Sequence, residues 1–358
     1  MMLFWTEPEY LLAMAAWLAV MVLTLRWLLD TRRRLRVLAP TKTRRSLNAA
    51  FSIWLVLALL TSFELGFAAF VDHSDAFNMT NISKRWFRRH IEPQRNANGF
   101  RDRREFVEKP PGDVRRIVFF GDSFTIGHGI RRMEDRFTDR VEAALEQAAP
   151  GQFQVANLGE CGWEVTIIEG VMKATLAKGY EADVFVYAFM LNDIEGYDPR
   201  TEATIRELQK RLPQSRLWTN TYFFNWMFFR WQQYQGGGTV DYFPHLADSY
   251  RSDAWRKVCI SLRFMHADCR KHNVEFRMML FPFLHNLGPD YPFHSAHQQL
   301  VEFCREEGIA VLDLEPVLTP HRSEGLVVNA FDNHPNELCH GLVADAIVKE
   351  LLSQLASH

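Results

Sequence analysis

The stretch Arg116-Ile117-Val118-Phe119-Phe120-Gly121-Asp122-Ser123-Phe124 decides the fold. Its apolar run is rich in β-formers and delivers Gly-Asp-Ser at its C-terminal end, and the next residues can start a helix. Such a handover puts a hydroxyl at a strand tip, facing a crevice, with helix N-terminal amides nearby. That is where a serine nucleophile works. Gly-Asp-Ser alone is common, so its weight depends on partners elsewhere. Near the other end stands Asp332-Asn333-His334-Pro335-Asn336, and between lie Asn157-Leu158-Gly159-Glu160-Cys161-Gly162 and Leu191-Asn192-Asp193. Each of the last two follows an apolar, strand-like run. A Ser, a His with a neighbouring Asp and two candidate oxyanion donors form the inventory of acyl transfer.

Around these blocks, apolar runs alternate with helical patterns. Strands are expected over Arg116–Phe120, Phe153–Leu158, Asp183–Met190, Val274–Phe281 and Ile309–Leu314. Helices are expected over Arg136–Ala148, Ile167–Ala177, Ala203–Arg211, Trp255–His272, His294–Glu307 and Glu337–Leu355. Continuous apolar strands separated by helices imply a parallel sheet covered on both faces. The expected fold is therefore a three-layer α/β/α sandwich, flavodoxin-like, with a five-stranded parallel sheet. Ser123, Gly162 and Asn192 then follow the first three strands at one edge of the sheet. His334, in the loop before the last helix, can return to the same crevice.

The four blocks, in this order and at these boundaries, resemble the SGNH hydrolases, also called the GDSL family. The resemblance covers about residues 114–355. Asn98-Gly99-Phe100-Arg101-Asp102 is similar to a lead-in seen in membrane-anchored bacterial members. The resemblance implies a serine esterase or O-acyltransferase. Ser123 would be its nucleophile, His334 its base and Asp332 the residue that orients the imidazole. The oxyanion would be held by the amides of Ser123 and Gly162 and the side chain of Asn192. Two positions depart from the pattern. Met190 stands where the third block usually has Gly, and Phe331 stands where the last block usually has its Asp, leaving Asp332 two residues before His334. Some envelope members carry this D-x-H-P-N form. Asp122 reads as a brace for the nucleophile loop, and His128 as a surface or packing residue. Cys161 reads as a packing residue.

The chain has 358 residues and a net charge of −2, which gives no electrostatic reason to expect nucleic acid. Five cysteines (Cys161, Cys259, Cys269, Cys304, Cys339) show no C-x-x-C spacing, so no metal or cofactor site is expected. The apolar residues concentrate at the N-terminus. Tyr10 to Leu29 and Leu47 to Val71 each supply the roughly 20 residues that a bilayer crossing needs. Neither a charged n-region nor an A-x-A site marks the first as a signal peptide. Arg32, Arg33, Arg34, Arg36, Lys42, Arg44 and Arg45 lie between the two, while Glu7, Glu9, Asp72 and Asp75 flank them. By the positive-inside rule the linker is cytoplasmic and the C-terminal domain outside, in the periplasm of a bacterial inner-membrane protein. The basic run Lys84 to Arg89 is a mild counter-signal. The expected organisation is a membrane hairpin over 1–72, a linker over 73–113 and the hydrolase-like domain over 114–358.

Glu64 lies about seven residues from the outer end of the second span, roughly 10 Å deep. An ionisable group at that depth either snorkels or is protonated, or it faces a partner such as another membrane subunit. The aromatic insertion Leu217–Gln235 reads as a core helix, as an apolar wall over the crevice, or as a patch on the membrane surface. The leading expectation is an outward-facing, membrane-anchored enzyme acting on a small acyl ester of an envelope polysaccharide. Its expected partners are the acyl ester substrate, the lipid bilayer and a membrane protein met through the hairpin at Glu64; relatives of this architecture often work alongside membrane acyl-handling proteins. The alternatives are a scaffold subunit with an idle hydrolase fold, and a lysophospholipase or thioesterase.

Overall fold

Strand-forming residues buried on both faces build the centre of the catalytic-looking region. The computed structural model describes residues 6–35, 41–110, 112, 114–201, 212–235 and 242–355. The helices are α1 (Glu7–Leu35), α2 (Thr41–Phe70), α3 (Asn81–His90), α4 (Ser123–Ile126), α5 (Phe137–Ala148), α6 (Val165–Ala177) and α7 (Arg216–Thr219). They continue with α8 (Phe223–Tyr234), α9 (Tyr242–Ser249), α10 (Asp253–Lys271), α11 (His294–Glu307), α12 (Glu315–Leu318) and α13 (Glu337–Leu355). The strands are β1 (Arg115–Gly121), β2 (Phe153–Gly159), β3 (Val184–Met190), β4 (Glu275–Phe281), β5 (Ala310–Asp313), β6 (Val327–Asn329) and β7 (Asp332–Pro335).

Strands β1 to β5 form one parallel sheet in the order β2-β1-β3-β4-β5. Every residue of β3 is buried, as a strand covered on both faces requires. Helices α5 and α13 pack on each other, as do α6 and α10, and they flank the sheet. Five sequence-expected strands and five helices are found within two residues of their expected ends. The helix expected over Ala203–Arg211 lies outside the described residues. His334 stands not in a loop but on β7, which pairs antiparallel with β6 immediately before α13.

The register fixes where the strands end. Gly121 of β1 lies opposite Gly159 of β2 and Ala188 of β3, so the blocks that follow these strands leave the sheet at one edge. Gly159 is required by close approach. A Cβ there would stand 2.7 Å from the backbone nitrogen of Ile126 in α4.

The chain forms two compact units. One comprises Met1–His73, Met79–Arg85 and Arg211–Gly237; the other comprises Ser74–Asn78, Trp86–Lys210 and Gly238–His358. The aromatic insertion Leu217–Gln235 thus groups with the helical hairpin. Phe223 of α8 stacks on Phe63 with centroids 5.2 Å apart, and Trp226 meets Phe67 at 5.3 Å. Glu64 explains this docking. Its carboxylate accepts from the Tyr10 hydroxyl (2.9 Å) and from the backbone amides of Tyr222 (2.7 Å) and Phe223 (2.9 Å). Those amides open α8, whose own N-cap residue supplies no side-chain cap, so Glu64 caps the helix from α2. Its hydrogen-bonding needs are met inside the chain. The basic run at 84–89 has a structural role of the same kind. Arg85 donates to the carbonyls of Phe67 (3.2 Å), Ala68 (2.5 Å) and Val71, closing the C-terminal end of α2.

Candidate active site

Ser123 is the first residue of α4, so its amide has no partner within the helix. The turn that presents it is held from several sides. Asp122 caps α4 by accepting from the Phe124 amide at 2.8 Å, which makes it the brace that its position implies. Burial pushes its carboxyl up to about 6. Asn157 donates to the Thr125 carbonyl at 2.6 Å and to Thr138 Oγ1 at 2.9 Å. Arg101, fully buried, donates to the carbonyls of Ile126 (3.1 Å), Gly127 (2.8 Å) and Ile130 (2.7 Å). Burial, with Arg136 beside it, pulls the Arg101 guanidinium down to about 9. The lead-in 98–102 is thus a clamp on the nucleophile loop.

His334 Nε2 lies 2.7 Å from Ser123 Oγ, and His334 Nδ1 lies 2.5 Å from Asp332 Oδ1. An ionised carboxylate only accepts, so Nδ1 carries the proton and Nε2 is free to accept from the Ser123 hydroxyl. Asp332 is fully buried. Burial alone would raise its carboxyl. The hydrogen bond from His334, the nearby His334 and His128 rings and the Ser74 hydroxyl outweigh this and hold it below the usual carboxylate range. Phe124 meets the His334 ring edge-on at 5.4 Å.

The oxyanion candidates are unengaged. Among the described residues neither the Gly162 amide nor the Asn192 side chain makes a hydrogen bond. Gly162 has φ +76°, a conformation that favours glycine, and a Cβ there would meet nothing within 4 Å. Met190 is buried in the core. Asp193 beside Asn192 is structural: it accepts from Tyr187 Oη (2.8 Å) and the Met190 amide (3.2 Å). Burial, then Asp122, pushes its carboxyl well up.

Two residues near the site escape the sequence blocks. His128 is buried, not on the surface, with its ring centroid 4.5 Å from that of His334. Its Nε2 donates to the Asp75 carbonyl at 3.0 Å, and burial, then His334, pulls it down to about 4. Ser74 donates to Asp332 Oδ2. Cys161 lies 3.8 Å from His128 Nδ1 and packs against Trp86, Ile91 and Ile126; burial, then Glu160, pushes its thiol up. Among the described residues two clusters bring metal-ligating atoms within 4.8 Å of one another: His128, Asp332 and His334, and His297, Asp313 and Glu315. In each the closest atoms are an imidazole–carboxylate pair that satisfies itself, as in His297 Nδ1 to Asp313 Oδ1 at 2.7 Å.

A family model described as the GDSL-like Lipase/Acylhydrolase family matches residues 119–342. This chain belongs to that family. It is by class a serine ester hydrolase, with the parallel α/β sheet that the sequence implies. Among solved structures it is similar to a member of the lipolytic protein G-D-S-L family from Veillonella parvula. That pair shares 16% identity over 66% of this chain and 97% of that one, with a TM-score of 0.41. A catalytic mutant of an acetylxylan esterase from Geobacillus stearothermophilus shares 14% identity over 67% of this chain and 94% of that one, with a TM-score of 0.44. Comparison with curated proteins gives no match.

Proposed function

We propose that this GDSL-family chain is a membrane-anchored, outward-facing serine esterase or O-acyltransferase that handles a small acyl ester of an envelope glycan. One observation carries the reading: Ser123, His334 and Asp332 form a continuous hydrogen-bonded chain at the edge where β1 to β3 end. Ser123 Oγ attacks the ester carbonyl while His334 Nε2 takes its proton. Asp332 holds the proton on Nδ1 and stabilises the imidazolium. The tetrahedral oxyanion is received by the Ser123 and Gly162 amides and the Asn192 side-chain amide. As the carbonyl reforms, the alkoxide leaves with the proton from His334. Water or a sugar hydroxyl then repeats the sequence on the acyl-enzyme, giving an acid or a transferred ester. The linked site favours activity over the idle scaffold.

The membrane assignment is supported by the surface of the hairpin. α1 and the stretch Arg44–Phe70 have mean hydropathy 2.0 over their most apolar windows, yet only 11% of each window is buried. Leu11, Leu12, Leu23, Ile53, Leu55 and Leu59 are all exposed, and a bilayer is the solvent that suits them. Basic residues between the helices support an outward C-terminal domain.

The purified full chain, given a small nitrophenyl acyl ester with and without an envelope polysaccharide, tests the chemistry. Ester turnover that vanishes in Ser123→Ala, with acyl groups appearing on the glycan, is the expected result. A rate equal in parent and Ser123→Ala would contradict it. A reporter active only in the periplasm, fused after His358, should be active. Activity of a cytoplasm-only reporter at that point would reverse the orientation.

A further inference from the structure

The hydrogen-bonded chain to Ser123 accounts for only one oxygen of Asp332. Oδ1 receives the His334 ring and also the His334 backbone amide at 3.2 Å. Among the described residues Oδ2 is faced by two groups, and only one of them has a proton to give. His128 Nε2 is 3.6 Å away and already donates to the Asp75 carbonyl. Ser74 Oγ donates to Oδ2 directly. Ser74 is 1% exposed and Asp332 0%, so bulk water has no access to either.

The segment that brings Ser74 is fixed to the hairpin that carries Asp332 and His334. The Ser74 carbonyl accepts from Asn329 Nδ2 at 3.3 Å on β6. The Ala76 amide donates to the Phe331 carbonyl at 3.0 Å, next to Asp332 itself. The Asp75 carbonyl takes the His128 ring. One short segment thus meets Oδ2 through a side chain and is tied by its backbone to Asn329 and Phe331, just before Asp332, and to the His128 ring. In sequence this segment directly follows the second apolar helix, and it lies outside residues 119–342, where the family model matches.

We infer that Ser74 is a positioning residue for the ester chemistry, fixing the plane of the Asp332 carboxylate through Oδ2 so that Oδ1 meets His334 Nδ1. This rests on the Ser123–His334–Asp332 reading above. A carboxylate held by one oxygen can rotate about its Cβ–Cγ bond. A buried anionic oxygen left without a donor is also costly. The Ser74 hydroxyl removes both faults, and it draws charge away from the oxygen that faces the imidazole. Without it, more of that charge stays on the oxygen that faces the imidazole.

The test uses the full chain in mild detergent and a small nitrophenyl ester, comparing Ser74→Ala, the near-isosteric poor donor Ser74→Cys, and Ser123→Ala. Expected for Ser74→Ala is a fall in kcat of about tenfold or more with KM unchanged, the signature of an interaction used in the transition state. The acid limb of its kcat/KM profile should move to higher pH. Ser74→Cys should shift the same way, less far, and it serves if Ser74→Ala does not fold. Parent-like kcat and pH profile in whichever variant folds would overturn the inference. If that occurs while Ser123→Ala is inactive, only the role of Ser74 fails. If Ser123→Ala turns over like the parent, the underlying reading fails with it.

Discussion

His334 Nδ1 lies 2.5 Å from Asp332 Oδ1 although only Asn333 separates the two residues. The strand β7 makes this possible. Alternate residues on a strand face the same way, and Asp332 and His334 are buried while Asn333 between them is exposed. A spacing of two is therefore sufficient on a strand, and the shortened Asp-x-His block is complete as it stands.

Inserting one residue after Asn333 should abolish activity, because it turns Asp332 to the opposite face of β7 from His334. Asp332→Asn should leave the fold intact and cost up to about 10⁴-fold in kcat, as expected when the orienting carboxylate of such a site is lost. Steady-state kinetics with a thermal melt alongside checks both. An insertion variant with parent-like kcat would refute the strand argument.

Asn192→Ala should lower kcat by about 10²- to 10³-fold with little change in KM, as for other single oxyanion donors. The buried Asn192 Oδ1 has no partner to lose, so the melting temperature should hold. A loss of stability without a change in kcat would assign Asn192 to the loop structure instead.

Gly159→Ala should destabilise the domain by about 1–3 kcal/mol, the usual cost of overpacking. Its new methyl would meet the Ile126 nitrogen and Thr125 Cβ, both at 2.7 Å. Because those atoms belong to the helix that starts at Ser123, kcat should fall as well. Denaturant unfolding and kinetics on the same preparation check the two effects together.

Glu64→Ala should loosen α8, since it leaves the Tyr222 and Phe223 amides and the Tyr10 hydroxyl without their acceptor. Each buried orphan costs about 1–3 kcal/mol. Glu64→Gln keeps an acceptor oxygen and should be milder. Limited proteolysis in detergent, read at residues 211–237, distinguishes them. Equal protection in both variants would mean that aromatic packing alone holds the helix.

The buried His128 makes stability depend on pH. Its folded value is about 4 against 6.5 when exposed. The unfolded chain therefore binds a proton that the folded chain refuses between those values, and stability falls as pH drops through this window. The loss approaches about 3 kcal/mol by pH ~4. Asp122, raised to about 6, acts in the opposite sense, so the useful quantity is the difference between parent and His128→Gln. That difference should shrink on acidification from neutral pH. A constant difference would contradict burial of a neutral ring.

Much of this site was legible because the signals were local. Apolar runs ending in Gly-Asp-Ser, Asn-Leu-Gly and Leu-Asn-Asp give both the strands and the residues at their tips. What stayed hidden depends on contacts between distant segments. Nothing around Ser74 signals that its hydroxyl meets Asp332, and the basic run at 84–89 gives no hint that Arg85 closes α2. The β6–β7 hairpin escaped because its strands are short and Asp332-Asn333-His334-Pro335 has the composition of a turn. Glu64 was conspicuous, but its partners lie in an insertion that composition alone could not direct to one surface.

Covalent labelling reads directly whether Ser123 is the nucleophile. The full chain in mild detergent is treated with a fluorophosphonate and read by intact-mass and peptide mass spectrometry. One adduct on Ser123 is expected, lost in Ser123→Ala and in His334→Ala while both variants keep the parent melting temperature. An unlabelled parent, or an adduct that persists in Ser123→Ala, would contradict the assignment of Ser123 as the nucleophile.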